Sequence, residues 1–203
     1  ENVLSKHRDW VRYAIFNPKG DRIASASSDN TIILWNAKTG EYITTLYGHS
    51  APVMSVNFDP TSKRLVSSSW DKTIIVWNAE GGYQLGHCKA HKKEVYYTEF
   101  NLDGTKIVSC SDDKTFYVWN SETLQYESSW KEHSNYVNSA VFSPDGNSLA
   151  TASSDRTIRI WDLNTKECVK ALGGHKNWVN SVRYHPNGNA LVSKITDSTT
   201  FTI

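Results

Sequence analysis

The chain has little of what marks a secreted, membrane-spanning or nucleic-acid-binding protein. It contains only three cysteines in 203 residues, and its net charge is +1. Cys88, Cys110 and Cys168 form no CxxC pair and their number is odd, which favours free thiols over a disulfide framework. No apolar run approaches the roughly 18 residues of a membrane span, and no block of like charge is present. Residues 1–9 are polar and unlike a signal peptide. We therefore expect an intracellular protein, cytoplasmic or nuclear.

A unit of 42 residues is repeated along the chain, as the step from His7 to His49 shows. Histidine, aspartate and tryptophan recur in one register without insertions. The histidines are His7, His49, His91, His133 and His175. The aspartates are Asp29, Asp71, Asp113, Asp155 and Asp197. The tryptophans are Trp35, Trp77, Trp119 and Trp161. Such periodicity indicates one small structural unit that stacks on copies of itself.

Each unit predicts four short β-strands and no helix. The first strand is an alternating stretch after the histidine, and the fourth leads to the next histidine. First strands are predicted at 11–16, 53–58, 95–100, 137–142 and 179–184, and fourth strands at 42–46, 84–88, 126–130 and 168–172. Asn-Gly and Asp-Gly supply the positive φ that a tight first turn needs. The second unit has Thr61-Ser62 at this turn, so we expect its turn to differ.

A four-stranded unit of this size cannot cover both of its faces, so the units must stack, and stacked twisted sheets close radially. We predict an all-β protein with one domain over residues 1–203, a β-propeller of four-stranded antiparallel blades. The blades are expected at about 7–48, 49–90, 91–132, 133–174 and 175–203, the last completed by residues 1–6. The fifth unit is degenerate, because Ile203 occupies its tryptophan slot.

The His…Asp…Trp frame resembles the WD40 family. Trp161-Asp162 ends a strand, and Gly48-His49 and Gly174-His175 precede the next unit, as in that family. Three units carry Asn36, Asn78 and Asn120 in place of the aspartate after the tryptophan, a mild departure. The resemblance implies a ring that is usually seven-bladed and closed by strand exchange. The five repeats therefore form either a closed five-blade ring or part of a seven-blade propeller.

Each unit also holds a serine, a histidine and an aspartate, the residue types of a hydrolase triad. The resemblance to the WD40 family implies instead that His, Ser, Asp and Trp form a buried hydrogen-bonded chain that fastens each blade. In the third unit the serine is Ser109 or Ser111. A motif present in every unit lacks the uniqueness of a catalytic site. We therefore expect structural tetrads built from all the marker residues above, no catalytic residue and no enzyme.

The remaining aromatic residues occupy three slots: three after the histidine, five after it, and one before the turn aspartate. The family resemblance implies that these slots rim the mouth of the central channel on one face. The expected partner-binding residues are Trp10, Arg12, Met54, Trp70, Tyr96, Tyr136 and Trp178. Trp, Tyr and Arg are the residue types most enriched at binding hot spots. The alternative is that some of them pack over the blade ends. Trp130 lies in a fourth-strand slot and is expected in the core.

The expected partners are proteins, bound through peptide segments with an apolar anchor and a mixed-charge flank. The rim lacks the arginine cluster of phosphopeptide readers and the basic face of nucleic-acid binders. We expect no membrane, small-molecule substrate or cofactor. We also expect no metal site, because His87 and His185 lie in separate units. The alternative is a structural building block of a larger assembly, contacting its neighbours through outer blade edges at Lys38, Glu80 and Glu122. A hydrolase ranks last.

Overall fold

The computed structural model describes residues 3–196 and the backbone of residues 201–202, and every regular element in this part of the chain is a β-strand. Blade 1 consists of β1 (Val11–Phe16), β2 (Arg22–Ser27), β3 (Ile32–Asn36) and β4 (Tyr42–Leu46). Blade 2 consists of β5 (Val53–Phe58), β6 (Arg64–Ser69), β7 (Ile74–Asn78) and β8 (Gln84–Cys88). Blade 3 consists of β9 (Val95–Phe100), β10 (Lys106–Ser111), β11 (Phe116–Asn120) and β12 (Tyr126–Trp130).

Blade 4 consists of β13 (Val137–Phe142), β14 (Ser148–Ser153), β15 (Ile158–Asp162) and β16 (Cys168–Leu172). Blade 5 consists of β17 (Val179–Tyr184), β18 (Leu191–Ile195) and β19 (Phe201–Thr202). Within each blade, strands that follow one another in the chain pair antiparallel. The predicted first and fourth strands have the bounds that the repeat indicated, and the prediction of four-stranded antiparallel propeller blades is confirmed. The residues described here include no helix that could cross a membrane.

Consecutive blades pack face to face through their first two strands, and the apolar core lies between them. Between blades 1 and 2, for example, Leu34 and Ala26 meet Val53 and Phe58 in one buried cluster. Because the register of β5 shifts at Met54, Val53 shares a face with Val56 and Phe58, and Ser55 and Asn57 lie on the other face. Both faces of an inner blade are covered by neighbouring blades. The first strand of blade 2, β5, is therefore almost wholly buried.

The face of blade 1 that carries Val11 and Phe16 has no neighbouring blade packed on it. Val11 is 51% exposed and Phe16 is 60% exposed, whereas Val53 is 0% exposed and Phe58 is 8% exposed at the same slots of blade 2. Val192, on β18 of blade 5, is likewise exposed where its blade-4 counterpart Ala150 is buried. Blade 1 therefore leaves uncovered the face that carries Val11 and Phe16, and blade 5 leaves uncovered the face that carries Val192.

The strand that residues 1–6 were expected to add to the last blade is not formed by residues 3–6, which have no regular structure. Residues 1 and 2 lie outside the described part of the chain. The physical reason is the open face of blade 1: strand exchange needs the first and last blades side by side, and exposed Val11 and Phe16 show that no blade packs there.

The first turn of blade 2 does not differ from the others, contrary to the expectation from Thr61-Ser62. Ser62 has φ 64°, close to the 73° of Gly20 at the same slot, and its amide donates to Asp59 O at 3.0 Å. The Asp59 carboxylate accepts the amides of Lys63 and Arg64 at 2.9 and 3.0 Å. These bonds hold the left-handed conformation that glycine adopts freely elsewhere.

Candidate functional site

A buried hydrogen-bonded chain runs from tryptophan to aspartate in blade 1. Trp35 Nε1–H donates to Ser25 Oγ at 2.8 Å, and this oxygen lies 2.7 Å from His7 Nε2. His7 Nδ1 lies 2.9 Å from Asp29 Oδ2. Because the indole can only donate and the carboxylate can only accept, the hydroxyl donates to Nε2 and the imidazole carries its proton on Nδ1. With this tautomer, every donor and acceptor along the chain has a partner.

The same chain recurs in the next three blades, where a threonine takes the serine position in blade 4. Its members are Trp77, Ser67, His49 and Asp71 in blade 2, Trp119, Ser109, His91 and Asp113 in blade 3, and Trp161, Thr151, His133 and Asp155 in blade 4. Of the two serines considered in blade 3, Ser109 is the member. Ser111 instead accepts the amide of Asp113 at 3.1 Å.

A threonine is a further member that the sequence did not reveal. Thr31 donates from its amide and its hydroxyl to Asp29 Oδ1, at 3.0 and 2.6 Å. The Asp-x-Thr spacing, as at Asp29 and Thr31, was the available signal. In blade 5, His175 Nε2 lies 3.3 Å from Ser193 Oγ. The expected partner Asp197 and the substituted Ile203 lie outside the described residues.

The hydroxyl of each Ser-His-Asp set is enclosed within its blade. The hydroxyls of Ser25, Ser67, Ser109 and Thr151 belong to buried residues, and each already accepts an indole N–H. A nucleophile needs an open approach to its substrate, which these buried hydroxyls lack. The complete network instead specifies one packing of each blade.

The tetrad aspartates are held as carboxylates. Burial alone would raise the pKa of Asp29, but hydrogen bonds from Thr31, the Arg8 amide and His7 outweigh it and lower the pKa to about 2. For Asp71 and Asp113, too, burial is outweighed by hydrogen bonds from the histidine and threonine, and the pKa is lowered. Burial lowers the pKa of His133, although Asp155 opposes this shift. Both kinds of group thus bind protons less readily in the folded protein.

Acid is expected to unfold the protein. A carboxylate whose pKa is about 2 when folded, against 3.8 ordinarily, stabilises the fold fully above pH 4 and loses this contribution as the pH falls to 2. His133, with its lowered pKa, also opposes protonation, so its contribution declines below about pH 6.5. Urea unfolding between pH 7 and pH 2 checks this, with the steepest loss expected between pH 4 and 2. Asp29→Asn should reduce that loss, and a stability that is constant down to pH 2 would contradict the prediction.

Above each network, two of the three rim slots are joined by a backbone hydrogen bond. The amide before the turn aspartate donates to the carbonyl three residues after the histidine, at 2.9–3.0 Å. The donor–acceptor pairs are Ser28–Trp10, Trp70–Pro52, Asp112–Glu94, Ser154–Tyr136 and Thr196–Trp178. Every blade therefore presents these two side chains next to each other at the same end.

The third rim slot, five after the histidine, is a β-bulge. In blade 1, Val11 pairs with Ser27 and Tyr13 with Ala26, so Arg12 has no partner across the strands. The same interruption leaves Met54, Tyr96, Asn138 and Asn180 unpaired. A bulge bends the strand and re-aims its side chain. This brings the third slot towards the other two: Arg12 Nε donates to Ser28 Oγ at 2.7 Å.

Three tryptophans of the expected binding set are exposed on this rim. Trp10 is 72% exposed, Trp178 is 48% exposed and Trp70 is 39% exposed. The Arg12 guanidinium carbon lies 5.0 Å from the Trp10 ring and 5.9 Å from the Trp70 ring, a stacking distance for both. Arg12 thereby links the rims of blades 1 and 2. Met54, Tyr96 and Tyr136 are half-buried.

A charged cluster between the first strands was not anticipated from the sequence. The rings of Tyr13 in blade 1 and Tyr97 in blade 3 lie 6.0 Å apart, and Arg183 of blade 5 stacks 4.7 Å from Tyr97. Tyr97 Oη donates to Glu99 Oε2 at 2.8 Å, and the Phe142 amide donates to Oε1 at 3.0 Å. Because these contacts join blades that are not neighbours, the first strands line the centre. Only the fold brings these dispersed residues together.

Comparison with protein families decides what these blades are. The family model for the WD domain, G-beta repeat (WD40) matches residues 1–36, 40–78, 82–120, 124–162 and 166–194. The chain belongs to the WD40 family. The second, third and fourth matched stretches each begin with the fourth strand of one blade and end with the third strand of the next. The prediction from the His…Asp…Trp frame is confirmed. WD40 proteins are generally non-enzymatic and bind other proteins.

Relatives of this WD40 chain match over a short part of their length. It is 43% identical to the Notchless protein homolog of Arabidopsis thaliana over 49 residues, which is 24% of this chain and 10% of the relative. It is 43% identical to WD repeat-containing protein 41 of Mus musculus over 54 residues, 27% of this chain and 12% of the relative. The nuclear distribution protein PAC1 of Ajellomyces capsulatus is 41% identical over 54 residues, with the same shares. The matches thus span about a tenth of these relatives.

The WD40 blades also hold the chain's three free cysteines. Cys88 and Cys110 are buried, and burial raises the pKa of the Cys88 thiol to about 12. Such a thiol is un-ionised and unreactive at neutral pH. Within the described residues, no group of three His, Cys, Asp or Glu side chains could hold a metal ion.

Proposed function

We propose that the chain is a non-enzymatic scaffold that binds peptide segments or partner proteins through the aromatic rim of one propeller face. The observation that carries this is the exposure of Trp10, Trp70 and Trp178 at rim slots of three blades. Exposed tryptophans add nothing to the core, yet an indole on a partner-facing surface is among the strongest hot-spot residues. We further propose an intracellular setting, cytoplasmic or nuclear, which the three free thiols support.

The composition of the rim favours a peptide as the ligand. Arg12, stacked between two indoles, offers a flat apolar platform with a positive centre. In blade 3, Lys93 and Asp112 form an ion pair at 3.1 Å. Apolar anchors beside charges of both signs suit a peptide with a large apolar residue and a mixed-charge flank. Nucleic acid, membranes and small-molecule substrates are not part of the proposal.

Capture experiments test the rim directly. The tagged chain and its Trp10→Ala/Trp178→Ala variant are incubated with cell extract, and captured proteins are quantified by mass spectrometry. Because each hot-spot tryptophan contributes about 2 kcal/mol or more, the double variant should lose at least about tenfold of its specific partners. Recovered partners are then titrated with purified protein to give the change in Kd.

The matched control changes the outer edge and leaves the rim intact. Lys38→Glu/Glu80→Lys/Glu122→Lys alters three exposed residues of the turns before the fourth strands. This variant should capture the same proteins as the wild type. The rim proposal is overturned when the double tryptophan variant captures the wild-type set unchanged.

A second candidate function is a building block of a larger assembly that contacts its neighbours through the outer blade edges. The fourth strands favour it, because Tyr42, Leu85, Tyr126 and Val169 are exposed large apolar residues on the outermost strands of four blades. Loss of partners in the Lys38/Glu80/Glu122 variant, with the rim variant unaffected, would support it. We also propose that further blades cover the open faces of blades 1 and 5, which the exposure of Phe16 and Val192 supports.

A further inference from the structure

Asp112 of blade 3 has no hydrogen bond with the bulge residue of its blade, unlike its counterparts in three other blades. In three other blades the bulge residue bonds to the side chain before the turn aspartate: Arg12–Ser28 at 2.7 Å, Asn138–Ser154 at 2.9 Å and Asn180–Thr196 at 3.2 Å. Blade 3 has Tyr96 and Asp112 at these slots. Asp112 is only 8% exposed, and its Oδ1 is buried without a hydrogen-bond partner. A buried carboxylate oxygen without a donor is costly, so a donor supplied from outside would be favourable there.

The contact with Lys93 shows that Asp112 binds a cationic donor. Its Nζ donates to Asp112 Oδ2 at 3.1 Å and lies 5.6 Å from the centre of the Tyr136 ring. The Lys93 side chain is 53% exposed, so it covers the site without being locked in it. Other blades place Asp9, Asn135 or Asn177 at this slot, and each accepts the next backbone amide at 2.7–2.9 Å. Blade 3 thus has Lys93 where other blades have a side chain that accepts the next backbone amide, and the lysine ammonium reaches the Asp112 carboxylate.

The surroundings of Asp112 are aromatic and negatively charged. Burial raises the pKa of Tyr96 to about 12, and the charges of Asp112 and Glu94 act in the same direction. Tyr96 therefore remains a neutral ring beside two carboxylates. Aromatic faces next to a carboxylate attract a cation through both charge and the ring quadrupole.

From this geometry we propose that Tyr96, Asp112 and Tyr136 form a subsite for the guanidinium of an arginine in the bound peptide, with Lys93 as an internal substitute that the arginine displaces. The lysine ammonium contacts one carboxylate oxygen and leaves Oδ1 without a donor. A planar guanidinium can donate to both oxygens at once and stack on a tyrosine. This inference rests on the proposed function of the rim and names one side chain of its ligand.

The test uses N-acetyl-Ala-Arg-Ala-amide, titrated into the full chain and followed by NMR of the tyrosine rings. Binding should shift the Tyr96 and Tyr136 signals. Lys93→Ala should lower the Kd at least about threefold, because the competing ammonium is gone, and Asp112→Asn should raise it at least about tenfold, because charge-assisted hydrogen bonds are lost. The citrulline peptide, which is uncharged, and the lysine peptide, which cannot bind in a bidentate manner, should both bind more weakly.

Asp9→Asn is the matched control, since it removes a carboxylate from the same rim and asparagine fills that slot in blades 4 and 5. It should leave the Kd unchanged. Equal binding of the citrulline peptide, or no response to Asp112→Asn in a variant with wild-type circular dichroism, overturns the subsite. If the tryptophan variants lose their partners while the arginine peptide fails to bind, only the subsite falls. The opposite pair of results removes the rim function and keeps the subsite.

Discussion

Trp119→Ala is expected to unfold much of the protein by lowering the free energy of unfolding by about 3–5 kcal/mol. Trp119 is buried at 2% exposure, and its ring lies 5.3 Å from that of Tyr117 and 6.1 Å from that of Tyr126. Its removal opens a cavity between blades 2 and 3, where Trp119 packs with Val76 and Val95. It also takes away the indole that donates to Ser109 at 2.8 Å. Urea unfolding followed by far-ultraviolet circular dichroism measures the effect.

Trp178→Ala is the matched control, because it deletes an identical ring from the exposed rim. A surface change of this kind should alter the free energy of unfolding by no more than about 0.5 kcal/mol. Trp119→Phe should fall between the two variants, since it keeps most of the ring but loses the N–H donor. Equal stability of the Trp119→Ala and Trp178→Ala proteins would refute the assignment of the repeated tryptophans to the core and the singular ones to the surface.

Arg183→Met is expected to destabilise the protein by roughly 2–3 kcal/mol, because it leaves the half-buried Glu99 without its neighbouring positive charge. Burial raises the pKa of Glu99, and Arg183 together with the Tyr97 hydroxyl opposes this shift. The loss should remain below that of a directly bonded ion pair, since Tyr97 and the Phe142 amide still bond the carboxylate. Thermal and urea unfolding at pH 7 provide the measurement.

Two controls separate charge from packing at this cluster. Adding Glu99→Gln to Arg183→Met removes the orphaned charge and should restore about 1 kcal/mol or more, within the usual range of coupling between neighbouring residues. A carboxyl with a raised pKa is protonated first in the folded state, so the Arg183→Met protein should lose less stability at pH 5 than at pH 8. Identical losses at both pH values, with no recovery in the double variant, would show that Arg183 acts only by filling space.

Much of the fold could be predicted because the repeat aligns five versions of one unit. A strand signal that is ambiguous in a single copy, such as Val95–Phe100, becomes clear when four others have it in register. Trp130 was placed in the core by its slot alone, and it stacks on Phe116 with ring centres 4.8 Å apart. The turn at Ser62 was wrongly expected to differ, because residue type alone does not show how Asp59 holds a left-handed serine.

The candidate site was only partly accessible in this way. The candidate residues were found by subtracting the repeat, since residues that vary within a constant frame are free of its packing demands. The resemblance to the WD40 family then placed their slots on the rim. That their third member is a β-bulge, as at Arg12, was missed because the first strand was interpreted as uninterrupted alternation, whereas the extra residue shifts the alternation by one position. The pairing of Lys93 with Asp112 was equally hidden, since it depends on two loops meeting at one end of the blade.

The sequence by itself determined the blades, their strand bounds and the identity of the polar networks, because these depend on contacts repeated at fixed spacing within one unit. Only the tertiary structure decided which blade faces meet, why Val11 and Phe16 stay exposed, and which charges gather around Glu99 at the centre. Those outcomes depend on the distances between side chains of different blades. A repeat that makes every blade locally alike carries no information about such distances.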